Sequence, residues 1–449
     1  MLDVLITNAT IVDGSGSREG SLAIAGSRIA ARFASGEALP AARRVIDAQG
    51  RLVMPGIVDP HVHFYGEGVG AYSRLAVRGG VTTFIGMIRR DPETPLAEVV
   101  DAHCRDGTAE SVADFSFHVV LYDRADTLTQ IEALAARGFR SYKMFLAYKR
   151  RGMMVSDAFL FSAMRTIRGV GGIALVHAEH GEFVDVLEQA AIAAGRTSAE
   201  HYEPTRPAEA EATSIDVVAL AAQATGCPVY VVHLSSSLGL AAVTRARRRG
   251  IAMWAETCPQ YLLADDALLR RVGAGAKIAP PLRAPADCRA LATGLLTGTI
   301  NTVGSDHASH RAEAKHAAGD DIFAVPFGMP GAPVLWPAMF TWALDHGVPL
   351  SVIVRAMAEM PARLFGLAHR KGSVAPGADA DLILVDPAAR QQLDCARVWP
   401  DVCPSPLADR PLAGWPSMTM SRGEVVFDGN DVTGRAGRGE LIAQQEARP

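Results

Sequence analysis

Disulfide chemistry, membrane spans and excess charge of one sign are all missing from this sequence. Its six cysteines, at 104, 227, 258, 288, 395 and 403, form no CxxC pair and are scattered along 449 residues, which suits reduced thiols better than a disulfide framework. No uninterrupted apolar run reaches bilayer-spanning length. The start, MLDVLITNATIVDG, has neither a basic n-region nor a long apolar h-region, so a secretory leader is not expected. Forty-four basic residues against 48 acidic ones leave a net charge of −4, with both signs spread along the chain, so there is no electrostatic reason to expect nucleic acid or an anionic membrane as partner. The basic run TRARRRG (244–250) falls at the end of a predicted helix, where cations offset the helix dipole. The expectation is a soluble cytoplasmic protein, 49% apolar and long enough for one large core and a smaller one.

The two ends of the chain read alike. Residues 1–54 alternate short β-type runs with turns (VLITNATIV, SLAIAG, RRVIDAQGRLV), and residues 372–449 do the same around ADLILVDP and SMTMSRGEVVFDGND. Neither end builds a convincing core alone, which predicts one small β-sandwich domain made from both termini. Between them, over 55–371, eight strand-like segments alternate with helical ones: GIVDPHVHF, VTTFIGM, DFSFHVVLY, FRSYKMFLA, GIALVHAE, PVYVVHLS, IAMWAETCPQ and INTVGSDHA. Helical patterns such as SIDVVALAAQATG close on glycine. Such alternation predicts an α/β fold, a parallel (β/α)8 barrel of the TIM type. A doubly wound open sheet would alternate too, but no GxGxxG follows the first strand.

Barrel chemistry sits at the C-terminal ends of the strands. Those ends carry His61 and His63 on strand 1, Lys143 on strand 4, His177 on strand 5, His233 on strand 6 and Asp306 on strand 8. Singly, each has an ordinary explanation: a hydrogen-bonded core histidine, a snorkelling lysine, a helix-capping aspartate. Together they would require six coincidences at one end of one barrel. Four imidazoles and a carboxylate converging there fit a transition-metal site. In VMPGIVDPHVHF, strand alternation would put Asp59, His61 and His63 on one face. The histidines read as ligands and Asp59 as an orienting group beside them.

PGIVDPHVHF, FRSYKMFLAYK, VHAEHG, VVHLSS, ETCPQYL and GSDHASH, with the tail MPARLFGLAHRKGSVAPGADADLILVDP, resemble in order the motifs of the amidohydrolase superfamily, in its cyclic-amide branch of dihydropyrimidinases, hydantoinases and allantoinases. The resemblance spans nearly the whole chain. It implies two divalent metal ions, zinc in the first instance, and a lysine carboxylated by CO2 into a bridging carbamate, which removes the problem of an ammonium beside two cations. By matching position, His61, His63, Lys143 and Asp306 would hold the more buried ion, and Lys143, His177 and His233 the more exposed one. Asp306 would move the proton and Tyr148, in FLAYK, would donate to the oxyanion. The implied activity is opening of a cyclic amide or imide ring, and the implied assembly a homodimer or homotetramer.

The pocket motifs depart from that pattern. In AKIAPPLR, Ala279 stands where a serine is usual, and VPFG carries Phe327 in place of asparagine before Gly328. Ala279, Phe327, Gly328 and Tyr148 are the candidate substrate contacts, and the two replacements predict an altered, more apolar pocket. Phe64 and Tyr65 follow the HxH pair where allantoinases and dihydroorotases commonly place an arginine, which counts against a carboxylate substrate. Arg283 could meet an anion but reads first as a helix cap or surface ion pair, His180 replaces an asparagine, and His307 or His310 reads as a hydrogen-bonding neighbour of the site ahead of a leaving-group contact. Met153 and Met154 follow Tyr148 closely enough to line the mouth, and the long 311–331 segment reads as a lid or a subunit contact. The alternatives are an allantoinase-like or other amide hydrolase with a more apolar pocket and, from a different class, a non-catalytic scaffold of the same fold. Such scaffolds typically lose metal ligands, and here the set is complete.

Overall fold

Eight short runs of Val, Ile, Phe and Met, apolar on both faces, can only be strands buried on both sides, as in a parallel sheet covered by helices. The computed structural model describes residues 2–65, 67–89, 94–124 and 126–446. Before the barrel come β1 (Leu2–Asp13), β2 (Gly16–Ala25), β3 (Arg28–Ala34), β4 (Ala42–Asp47) and β5 (Leu52–Pro55). The barrel strands are β6 (Ile57–His63), β7 (Val81–Ile88), β8 (Asp114–Val120), β9 (Ser141–Phe145), β10 (Ile173–His177), β11 (Val229–Val231), β12 (Met253–Thr257), β13 (Thr302–Val303) and β14 (His307–Ala308). They are hydrogen-bonded in sequence order, β13 lies on β12, and β14 pairs in parallel with β6. The predicted barrel is therefore present, and its eighth strand is two fragments that close the ring from either side. The break spans Gly304–Asp306, with Asp306 at φ 49°, a left-handed conformation that no continuous strand accommodates. The helix ending at Thr225 stops where expected, on Gly226 at φ 67°.

The barrel interior is filled by Val58, Ile85, Val120, Leu175, Tyr230 and Val232. Its N-terminal end is closed by Phe365 and by the chain's own tail. Ile442 enters this core, and the Gln444 amide oxygen accepts from Ser141 Oγ at 2.9 Å. The chain ends share one sheet: β15 (Leu382–Val385) pairs with β5, and β18 (Pro416–Ser421) and β19 (Glu424–Phe427) continue it, while the short β16 (Arg390–Gln391) and β17 (Leu412–Ala413) form a separate ribbon. β1 pairs with β4 along its first half and with β5 further on, so the sheet folds over its own core of Val4, Ile6, Leu22, Ile24, Leu382 and Met420. Among the described residues, no helix is long and apolar enough to cross a membrane.

Candidate metal centre

Strand alternation alone misplaces one residue of the first motif. The pairing of β6 with β7 shifts register between Asp59 and Val62, so Asp59, His61 and His63 do not share a face. Asp59 accepts from the Tyr72 hydroxyl at 2.7 Å and from the Ser305 backbone N–H at 3.0 Å, tying β6 to the break in the eighth strand. His61 and His63 face the barrel mouth with their Nε2 atoms 3.2 Å apart. Asp306 Oδ1 lies 3.2 Å from His61 Nε2 and 3.5 Å from His63 Nε2. Across the mouth, His177 Nδ1 lies 2.9 Å from His233 Nε2. The His61 and His233 rings stack at 5.4 Å, which joins the two pairs into one cluster.

Partners behind the rings decide which nitrogens are bare. His61 Nδ1 donates to Glu256 Oε1 at 2.7 Å, and His177 Nε2 donates to Glu179 Oε2 at 2.7 Å. Each neutral imidazole carries one N–H, so His61 Nε2 and His177 Nδ1 present lone pairs to the cluster. Burial, the largest cause, holds His63 down to about 4 and also lowers His177 and His233, whose neighbours His177 and Lys143 push His233 further. The bare lone pairs of His61 and His177 point at His63 Nε2 and His233 Nε2, 3.2 and 2.9 Å away, so each pair of nitrogens can hold a proton or a cation between them. The donor set, imidazole nitrogen plus carboxylate, suits divalent zinc-like ions.

Lys143 completes the cluster. It is fully buried, and its Nζ has no hydrogen-bond partner among the described residues. Burial pulls its pKa down to about 7, against the opposing pull of Asp306 and Glu256. A deprotonated amine is the form that adds CO2, so the geometry and the charge state both fit a carbamate. Asp306 stays a carboxylate: burial raises its pKa, but His61, His63 and Lys143 outweigh that and hold it below the ordinary value.

Among the described residues, three of the six non-glycine positions at positive φ belong to this cluster or its rim: Tyr148 (66°), His233 (39°) and Asp306 (49°). Each costs about 1–3 kcal/mol, which the surrounding bonds must hold in place. Glu256 does much of this, accepting from the His233 backbone N–H at 3.0 Å and the Tyr230 hydroxyl at 2.8 Å besides His61. Gly304 leaves room for it, because a Cβ there would sit 2.7 Å from Glu256 Oε2.

Tyr148, Ala279, Phe327 and Gly328 all line a pocket of about 80 Å3 that opens onto His63, His177, His233 and Asp306. The Tyr148 ring lies 4.8 Å from that of His177 and 5.5 Å from that of Phe327. Gly328 has φ 116°, and a Cβ there would meet Ala308 Cβ at 2.4 Å, so only glycine brings this backbone to the pocket. Met153 lines the pocket as well. Tyr65 does so and stacks on His63, whereas Phe64 packs away from the site against Tyr72 and Phe84. His307 and His310 are supports: His307 Nε2 contacts Glu67 Oε1 at 2.5 Å and its Nδ1 accepts from the Gly331 N–H, while His310 Nε2 donates to the Phe327 carbonyl at 2.7 Å. The 311–331 segment is tied to the barrel by two buried lysines. Lys277 Nζ donates to the Val325 carbonyl at 2.6 Å, and from within the segment Lys315 Nζ donates to the Ala274 carbonyl at 3.1 Å and the Lys277 carbonyl at 3.2 Å.

Other positions differ from expectation. Arg283 is neither a helix cap nor on the surface: it is buried, 3.1 Å from Glu203 and within reach of Ser235. Sequence reasoning missed Glu256, Glu179 and Arg206. Burial raises the Glu179 pKa, but Arg206, 2.5 Å away, and His177 outweigh it and bring it to about 2. It also missed Arg89 and Arg151, which line the pocket and make it less apolar than Ala279 and Phe327 alone suggested. The signal available was an acid near the end of strand 7 (Glu256), directly after an apolar run, and one two residues beyond His177 at the end of strand 5 (Glu179).

Residues 52–426 match the model of the amidohydrolase family. The chain is 31% identical to a D-hydantoinase of Ralstonia pickettii over 99% of both chains, and 34% identical to an allantoinase of Rubrobacter xylanophilus over 97% of both. It superposes on the crystal structure of a dihydropyrimidinase from Brevibacillus agri with a TM-score of 0.94 at 28% identity, covering 100% of each chain.

Proposed function

The chain belongs to the amidohydrolase family, and from that premise we propose that it opens hydantoin or dihydropyrimidine-type rings by metal-dependent hydrolysis of a cyclic amide. The observation that carries this reading is the convergence of four imidazole rings, two of them with a bare nitrogen turned to the cluster, the Asp306 carboxylate and the Lys143 amine, unpartnered among the described residues, at the mouth of one barrel. Divalent metal binding suits this donor set, and we assign His61, His63, Lys143 and Asp306 to one ion and Lys143, His177 and His233 to the other. Zinc is the first candidate, with Lys143 carboxylated. When bound, such ions lower the pKa of water from 15.7 to about 7 and polarise the amide carbonyl.

The chain's own residues do the rest. Asp306 accepts a proton from the attacking water and returns it to the leaving ring nitrogen. The Tyr148 hydroxyl, kept protonated because burial pushes its pKa well above the ordinary phenol value, donates to the carbonyl oxygen as negative charge develops there. Phe327, Phe145 and Tyr65 wall the pocket against water, and the Ala279 and Gly328 backbones offer main-chain contacts to the ring. The second reading, an allantoinase-type ureide hydrolase, is supported by the similarity to the Rubrobacter protein. A scaffold role is disfavoured by the complete ligand set. We further assign the protein to the cytoplasm as a homodimer or homotetramer, which sedimentation would check.

The test is ring opening by the metal-loaded protein across hydantoin, 5-phenylhydantoin, dihydrouracil, allantoin and dihydroorotate, with metal analysis of the same preparation. Opening of hydantoins or dihydrouracil is the expected result. Activity confined to allantoin selects the second reading, and a metal-free protein silent on every ring returns the scaffold.

A further inference from the structure

We infer that the pocket selects rings bearing a carboxylate substituent, held by Arg89 and Arg151; this rests on the cyclic-amide reading above. Arg89 directly follows β7, and Arg151 closes the short turn Lys149–Arg151 beyond β9, so two separate strand ends bring guanidinium groups to the pocket that contains Asp306 and His233. In the run Lys149, Arg150, Arg151, the first two pair with Glu182 at 2.6 Å and Asp185 at 2.5 Å. Arg151, the one lining the pocket, has no carboxylate partner among the described residues. The buried arginines around the site are also paired, Arg206 with Glu179 and Glu188, and Arg283 with Glu203.

Arg89 is the second exception. Among the described residues its Nε is buried without a hydrogen-bond partner, and the groups against the guanidinium are neutral: the Tyr65 and Tyr122 hydroxyls and Met153 Sδ at 3.9 Å. Both guanidinium groups lie over aromatic rings, Arg89 over Tyr65 at 4.9 Å and Arg151 over Phe327 at 4.5 Å. Stacking engages the face of a guanidinium and leaves its edge, where the N–H donors sit, for a planar bidentate acceptor. A carboxylate is such an acceptor, and it repays the cost of holding unpaired positive charge in a partly buried pocket. The charge that an arginine directly after the HxH pair would supply is thus supplied from strands 2 and 4 instead. A ring such as 5-(carboxymethyl)hydantoin satisfies the geometry. Hydrolysis breaks its amide C–N bond, with the hydroxyl of one water going to the carbonyl carbon and the proton to the ring nitrogen, and releases an N-carbamoyl dicarboxylate.

The test compares 5-(carboxymethyl)hydantoin with its near-isosteric neutral amide, 5-(carbamoylmethyl)hydantoin, on the metal-loaded enzyme, with unsubstituted hydantoin as reference. The expected preference for the acid is about 10–100-fold in kcat/KM, carried by KM, the range for hydrogen bonds to a charged partner. R89Q and R151Q each reduce that ratio, and the double variant brings it near one. In the unaltered enzyme, added salt raises KM for the acid and leaves that for the amide in place, a reading independent of any variant. Equal use of acid and amide, a preference that survives the double variant, or opening of hydantoin but not of the acid overturns the inference alone. Failure to open any ring removes the cyclic-amide reading and the inference with it.

Discussion

Replacing Glu256 separates what the metal cluster owes to geometry from what it owes to charge. Its carboxylate accepts from His61 Nδ1 at 2.7 Å, the His233 backbone at 3.0 Å and the Tyr230 hydroxyl at 2.8 Å. In E256Q the amide oxygen can keep the first two, while its NH2 faces the Tyr230 hydroxyl, which turns to donate to Thr302 Oγ1, 2.6 Å away. What is lost is the charge assistance to His61, roughly half the strength of such a bond, or about 1–1.5 kcal/mol. Metal affinity should therefore fall roughly tenfold, the low end of the range for groups that orient a metal-binding histidine. E256A removes all three hydrogen bonds and leaves the His61 N–H and the His233 backbone N–H buried without partners. It should weaken metal by about 100-fold and cost about 2–4 kcal/mol of folding stability. Chelator competition measures the first quantity and urea unfolding of the metal-free protein the second. E256Q binding metal as tightly as the parent, or E256A binding no more weakly than E256Q, would refute the reasoning.

Lys143→Ala should lose both metal and activity, with partial recovery of both on adding short carboxylic acids that take the place of the carbamate; metal analysis with and without acetate checks it, and full metal retention without rescue counts against a bridging role. Asp306→Asn should keep most of its metal while turnover falls about 10²–10⁴-fold, the contribution of a positioned proton acceptor, and parent-like kcat removes that assignment. At the other end of the barrel, Lys371 is buried 2.5 Å from Asp114, 2.8 Å from Asp381 and 2.9 Å from Asp379, so K371M should cost about 3–5 kcal/mol by stranding carboxylates. Burial alone would lower the Lys371 pKa, but Asp381, Asp114 and Asp379 outweigh it and raise the value, so its contribution is complete below the ordinary lysine range and is lost as pH rises through the folded value. Thermal melts at rising alkaline pH should show the gap between parent and K371M narrowing, and a gap constant with pH would exclude the linkage.

Much of this molecule is legible locally. Eight apolar runs alternating with helical patterns mark the barrel because strand and helix periodicity is a property of neighbouring residues. The six polar side chains now found together at its mouth stand out because each ends such a run. The likeness of the two termini, too, is visible before one sees that β5 and β15 pair.

Other features exist only once the chain has closed. The register shift after Asp59 turns that carboxylate towards Tyr72, and the break at Gly304–Asp306 allows one strand to pair on both sides. Which nitrogen of His61 is bare depends on Glu256, 195 residues away in sequence. That Arg151 has no carboxylate partner among the described residues depends on where Glu182 and Asp185 lie relative to its two neighbours. By itself, then, the sequence determined the elements, the barrel and the residues that gather at its rim, since these follow from side-chain pattern along the chain. The protonation, orientation and charge of the site were decided by tertiary structure, because electrostatic and hydrogen-bond energies depend on distances through space that no local pattern encodes.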